Sequence, residues 1–227
     1  NRSSTTAYET GSGSTIMSYA AICGSDNITN STSDTRFHTG SFAQITNHTI
    51  NGGGNACPGL INTGNAAPTV TTPAGFNIPR NTPFTLTAVG SDPDAGDVNN
   101  LSYVWEQTDV GGTNFFQNGT EASYNDAADP VNATTRPIFR AFPVTTGPSR
   151  TFPSLTYILN NANDPPLDVG GLKTAEELPR IGRTLNFRVT ARDQVGGVNE
   201  AATVLTVDNA SGPFFAANIV GPWVGGG

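Results

Sequence analysis

Four stretches of the chain alternate apolar and polar residues with a period of two. They are Phe84-Thr85-Leu86-Thr87-Ala88-Val89, Leu101-Ser102-Tyr103-Val104-Trp105-Glu106, Leu185-Asn186-Phe187-Arg188-Val189-Thr190-Ala191 and Ala202-Thr203-Val204-Leu205-Thr206-Val207. Successive side chains of a strand point to opposite faces, so each stretch predicts a strand with one apolar and one polar face. In the second stretch Leu101, Tyr103 and Trp105 share the apolar face. Strands of this kind belong in an antiparallel sheet packed on another sheet. Turn formers separate them: Asp92-Pro93-Asp94-Ala95-Gly96-Asp97, Val110-Gly111-Gly112 and Val195-Gly196-Gly197. Weaker strand signals lie at Ile138-Phe139-Arg140 and Tyr157-Ile158-Leu159, inside a long Pro-containing stretch from 118 to 179.

Residues 1–66 have a different character. They are rich in Ser, Gly, Thr and Asn, with one amphipathic stretch at 36–49. There Phe37, Phe42, Ile45 and Thr49 follow at spacings of five, three and four, which predicts a helix. Ser33 or Asp34 would cap its start, and Asn51-Gly52-Gly53-Gly54 would end it. Residues 52–64 read as an irregular loop anchored by Cys57, and Asn65-Ala66-Ala67-Pro68 as a linker. The fold expected is therefore mainly β: a Ser/Gly-rich segment at 1–66, a β-sandwich of immunoglobulin or cadherin type at 67–211, and a tail at 212–227 that begins a further module or linker.

Charge narrows the function classes. The net charge is −7 and Lys173 is the only lysine, so a phosphate-tracking surface is excluded and nucleic acid is not an expected partner. No apolar run reaches the roughly 18 residues of a membrane span. Charged residues are only 13% of the chain, too few for a coiled coil. Cys23 and Cys57 are the whole thiol inventory. In an acidic, Thr- and Asn-rich chain an extracellular setting allows them to pair as a disulfide; two separate thiols, or partners elsewhere in a longer protein, are the alternatives. Asn1 is not a start residue, so the chain is expected to begin within a longer protein.

The candidate chemistry lies at Tyr8-Glu9-Thr10-Gly11-Ser12-Gly13-Ser14-Thr15-Ile16-Met17-Ser18-Tyr19-Ala20-Ala21-Ile22-Cys23, around the single methionine of the chain. Ser14-Thr15-Ile16-Met17-Ser18-Tyr19 resembles the Met-turn of the metzincin zinc peptidases, and the whole block resembles the reprolysin-like (adamalysin-type) members of secreted bacterial proteins. The phrases Ser91-Asp92-Pro93-Asp94, Tyr103-Val104-Trp105-Glu106-Gln107, Glu177-Leu178-Pro179 and 183–193 resemble the sandwich module that follows the catalytic domain in such proteins. The resemblance implies a catalytic domain in which three histidines of HExxHxxGxxH hold zinc and its glutamate serves as the base. Met17 would be the apolar floor under those imidazoles. Tyr19 would approach the zinc or the transition state, and Ala20, Ala21 and Ile22 would wall the substrate pocket. The helix at 36–49 would be the terminal helix of that domain.

HExxHxxGxxH is absent from this sequence. The only histidines are His38 and His48, ten residues apart and neither followed by Glu, whereas two ligands of one metal on a helix need a spacing of three or four. The expectation is a C-terminal part of a secreted bacterial zinc endopeptidase whose zinc-binding segment lies upstream. By itself this part would bind no zinc and cleave nothing; its partners would be the missing catalytic segment and a protein or peptide substrate. The alternative is a non-enzymatic adhesion or carbohydrate-binding sandwich, suggested by Trp105, Phe115, Phe116, Trp223 and the acidic loop.

That loop is a second candidate site. Asp92, Asp94 and Asp97 crowd one turn, and clustered hard oxygen ligands suit Ca²⁺. Glu106 and Asp193 are the expected additional ligands, should their strand ends meet the loop.

Overall fold

The computed structural model describes residues 5–22, 24–56, 59, 61–111, 134–166 and 168–214. Cys23 and Cys57, and with them the expected disulfide, lie outside the described residues, as do Phe115, Phe116 and Trp223. The elements in chain order are α1 (Thr39–Ile50), β1 (Thr69–Thr71), β2 (Asn77–Pro79), β3 (Phe84–Thr87), β4 (Val89–Ser91), β5 (Ser102–Gln107), β6 (Ser149–Phe152), α2 (Leu155–Leu159), β7 (Asp168–Val169), β8 (Leu172–Lys173), β9 (Thr184–Arg192) and β10 (Val198–Asp208). The molecule is mainly β, in several sheets. No described helix is long and apolar enough to cross a membrane.

The strongest alternation gave the longest strands. β9 and β10 form an antiparallel hairpin, with Thr184 opposite Thr206 and Arg192 opposite Val198. β5 pairs antiparallel with the other edge of β9, and β2 runs parallel to the end of β10, so the sheet order is β2-β10-β9-β5. The inner face carries Tyr103 and Trp105 from β5, Leu185, Phe187, Val189 and Ala191 from β9, and Leu205 and Val207 from β10, all buried. The antiparallel pair β3–β6 lays Phe84, Leu86 and Phe152 against them. Phe84, Phe139, Phe152 and Phe187 meet with ring centroids 4.9 to 6.1 Å apart, mostly tilted or edge-on, the arrangement aromatic quadrupoles favour. Trp105 is part of this core: it is 3% exposed and its indole N–H donates to the Pro148 carbonyl at 2.9 Å. It is not a sugar platform.

Several local expectations are corrected. The stretch 84–89 is two strands, because the chain changes partner at the buried Ala88: β3 pairs with β6, whereas β4 pairs with β1. Residues 138–140 form no strand. The N–H groups of Ile138 and Phe139 donate to the Gln107 side-chain oxygen at 2.8 and 2.9 Å, and Phe139 makes one bridge, to Glu176. Residues 157–159 fall in α2, not in a strand; three consecutive apolar-aromatic residues carry no alternation, and Leu155 and Leu159 lie one helical turn apart.

The helix at 36–49 starts later than expected. α1 begins at Thr39, capped by His38, whose Nδ1 accepts from the Gly40 N–H at 3.1 Å; Ser33 and Asp34 do not cap it. Its expected apolar stripe is not buried: Ile45 is 41% exposed, Thr49 is exposed and Phe42 is half-buried, and only Thr39 and Gly40 are buried in the helix. The helix docks by its first turn.

That docking overturns the half-polar reading of β5, which is buried on both faces. Arg36 and Thr39 reach the outer face of the four-stranded sheet, and other described residues among 5–50 meet the segments beside it. Arg36 donates to Glu106 and, at 2.7 Å, to the Phe142 carbonyl. The Thr39 N–H donates to Glu106 at 2.7 Å, and the Thr39 hydroxyl to Glu200. Arg140 donates to the Thr29 carbonyl at 2.6 Å, and backbone bonds join Gly111 to Ala7 and Lys173 to Ile28.

Candidate functional site

The block around Met17 is a compact knot of turns without regular structure, built on polar groups. Glu9 is its centre: one carboxylate oxygen accepts from the Ser14 and Thr15 N–H groups at 2.7 and 3.1 Å, and the other from the Thr15 hydroxyl at 2.5 Å. Ser12 closes the other side. Its N–H donates to the Asn27 carbonyl at 2.7 Å, and its own carbonyl accepts from Tyr19 and Ala20 at 2.9 and 3.0 Å. The Ser14 hydroxyl donates to Asp34 at 2.9 Å, and Ile16 N–H to the Arg36 carbonyl at 3.0 Å. Gly13, at φ +74°, takes a conformation that side chains rarely adopt, and a Cβ there would lie 2.6 Å from Ser18 Cβ. Residues 10–15 are therefore buried although all six are polar or glycine.

The knot presents apolar side chains outward. Met17 is 67% exposed, Ile22 60%, and Ile16 and Tyr19 44% each. Of the expected pocket wall, Ala21 and Ile22 are exposed but Ala20 is buried beneath the turn, at a φ of 40°. His38 and His48 sit at opposite ends of α1, about 15 Å apart at 1.5 Å per residue. His38 is buried, stacked on Tyr8 with centroids 5.6 Å apart, and its Nδ1 is committed to the Gly40 N–H. His48 is exposed and packs beside Gly54. The described residues do not form a zinc site.

Below the knot is a buried charge network that sequence reading missed. Burial alone raises the Glu106 carboxyl, but the adjacent Arg36 guanidinium, with hydrogen bonds from Arg36 and the Thr39 N–H, helps to outweigh it and hold it below the usual glutamate range. Glu106 was expected at the calcium loop; the structure commits it instead to Arg36 and Thr39. Arg150 lies on the inner side of the same strands, between the Phe142 and Phe152 rings, donating to the Trp105 and Arg140 carbonyls at 2.7 Å each. Burial pushes its guanidinium down to about 10.

The acidic turn does assemble. Asp92, Asp94 and Asp97 bring carboxylate oxygens within 4.8 Å of one another, and this group could hold a metal ion. Asp92 Oδ1 accepts from the Asp94 N–H at 2.9 Å, while its Oδ2 is buried with no hydrogen-bond partner among the described residues. Asp94 also accepts from the Ala66 N–H at 2.7 Å, which ties the turn to the linker. Asp193 does not join the group. It closes the β9–β10 turn by accepting from Val195, Gly196 and Gly197, and it holds Asn65 at 2.8 Å. Those hydrogen bonds outweigh desolvation and keep its carboxyl below the usual aspartate range.

Neither Glu9 nor the Arg36–Glu106 pair stood out in the sequence. A carboxylate five residues before a Ser-Thr pair has no periodicity to mark it, and a pair 70 residues apart has no local signature at all. Comparison of the chain with models of known protein families and with curated proteins finds no match.

Proposed function

We propose that residues 1–66 are the C-terminal part of a reprolysin-like metzincin catalytic domain, with Met17 as its floor, carried on an immunoglobulin- or cadherin-like accessory sandwich of a secreted bacterial endopeptidase. One observation carries this reading: Met17 is 67% exposed at the head of a turn whose flanking backbone is held by Glu9, Ser12 and Arg36. A rigid mount that holds a thioether into solvent, flanked by Ile16, Tyr19 and Ile22, suits a surface that another segment covers. In this reading the covering segment brings the three imidazoles and the glutamate of HExxHxxGxxH. This chain supplies the apolar support and the wall formed by Ala21 and Ile22, and the substrate is a protein or peptide.

The test is the longer gene product. Expressed with its upstream segment, it binds one zinc per chain by elemental analysis and cleaves a denatured protein substrate, and chelator abolishes the cleavage. Met17→Ala in that product lowers zinc occupancy and activity while the fold persists. A longer product that holds no zinc ends the peptidase reading.

The acidic turn is proposed to take Ca²⁺. The buried, unpartnered Asp92 Oδ2 favours it, since an unpaired carboxylate oxygen away from water is costly unless a cation meets it. Calcium would then stiffen the junction at Ala66. A melting temperature raised by millimolar Ca²⁺ and lowered by chelator is expected; one indifferent to both refutes the site.

A further inference from the structure

A groove of about 490 Å³ opens between α1 and the outer face of β9. The peptidase reading makes no use of it. Its volume lies within the range of small-ligand sites, roughly 300–1,000 Å³. Its walls hold Tyr8, Ala43, Gln44, Asn47, Asn186 and Arg188. Tyr8 reaches the wall because Gly40 has no side chain: a Cβ there would lie 2.5 Å from two atoms of the Tyr8 ring.

The polar groups of this groove are unusually unspent. The Tyr8 hydroxyl and the Gln44 amide make no hydrogen bond among the described residues. Asn186 is fixed from behind: its amide nitrogen donates to Asp109 at 2.5 Å and its backbone N–H to the same carboxylate at 3.1 Å, while its side-chain carbonyl accepts from no described residue. Asn47 accepts from Asn51 at 3.1 Å and keeps its own amide hydrogens. Arg188 gives one nitrogen to Glu200 at 3.3 Å and retains the rest of its fork. The wall thus offers planar groups with donors and acceptors side by side, the complement of vicinal hydroxyls.

The same walls argue against other ligands. Among the described residues no carboxylate lines the groove, which argues against a cation site. The one cation, Arg188, is already paired with Glu200, so there is little to hold an anion. An extended peptide needs a free strand edge or apolar pockets. Here β9 is flanked on both sides by β5 and β10, and the apolar lining is Ala43 and the Tyr8 ring.

We propose that this groove binds a short neutral saccharide. Titration of the full chain, isotope-labelled, with neutral hexoses, N-acetylhexosamines and β-linked disaccharides to about 20 mM tests it by NMR. At least one saccharide is expected to shift the side-chain amides of Gln44 and Asn47 and the backbone amides around Asn186. The double variant Tyr8→Phe/Gln44→Ala, which removes two polar groups that have no hydrogen-bond partner among the described residues, lowers the affinity about tenfold. Ala43→Phe fills the groove and abolishes binding. Three results overturn the proposal: no saccharide moves these resonances; binding persists unchanged in both variants, whose spectra show them folded; or glucuronate or a peptide binds there in preference to every neutral sugar.

Discussion

The two faces of the four-stranded sheet are covered by opposite chemistry. On the inner face, the cluster of Phe84, Phe139, Phe152 and Phe187 with Leu86, Leu178, Leu185 and Leu205 excludes water by apolar contact. On the outer face, Arg36 attaches to Glu106, and Thr39 to Glu106 and Glu200, and the helix that belongs to this layer buries none of its Phe, Ala or Ile side chains. Apolar burial is non-directional and proportional to area, so the inner face is robust but carries little geometric information. Buried charged hydrogen bonds act the other way. They contribute little net stability, because desolvation offsets the attraction, yet they tolerate only one arrangement. A layer that must hold a turn such as that of Met17 in a fixed pose is well served by the second kind of attachment.

Breaking each face separately tests this contrast. The largest effect is expected from Phe187→Ala, which opens the centre of the aromatic cluster and costs about 3–5 kcal/mol; chemical denaturation should show one transition shifted for the whole molecule. Glu106→Gln should come next, at up to about 3 kcal/mol, because it takes from buried Arg36 the nearer of its two carboxylate partners and leaves only Asp34 at 3.6 Å. Its signature differs from that of the core variant: amide exchange rises in residues 5–50 while the β9–β10 hairpin stays protected.

The same residue gives a pH test. The Glu106 carboxyl lies below its ordinary value in the fold, so its contribution is fully present above the unfolded value, near 4.3, and is lost as pH falls through the lowered folded value. Wild type should therefore lose stability steeply in that acid window, and Glu106→Gln should be flatter there. Asp109 and Glu176 run in the opposite sense: burial raises both, so each disfavours the fold as pH rises through its raised value. They titrate on both proteins and cancel in the comparison.

A smaller effect, about 1–2 kcal/mol and local, is expected from Glu9→Gln, since its carboxylate accepts three hydrogen bonds in the knot. Exchange of the Ser14 and Thr15 amides measures it. The smallest is Met17→Ala: the side chain is mostly in water here, so stability should change by no more than about 0.5 kcal/mol. A large destabilisation would mean that Met17 is structural in this chain and would remove the support for its role as a floor.

The strands of the inner sheet were legible because alternation is a local property, and a half-buried strand must repeat it every two residues. The acidic turn was legible for a similar reason: Asp92, Asp94 and Asp97 are close in sequence and a turn brings them together. Glu106 shows where that reasoning stops. It stands at a polar position of an alternating strand, and nothing nearby says that Arg36 will cover it. Its removal from the calcium loop follows from the same long-range contact.

The sequence by itself determined the mainly β character, the alternating strands at 185–191 and 202–207 with a turn between them, and the clustering of the three aspartates, because each rests on spacing within one short segment. Only the tertiary structure decided that β5 is buried on both faces, that α1 docks by its first turn, that Met17 stands outward on a knot held by Glu9, and that a polar groove opens beside Asn186. Each of these joins residues far apart in the chain through directional polar contacts, and the period of side chains along a strand or helix carries no record of such partners.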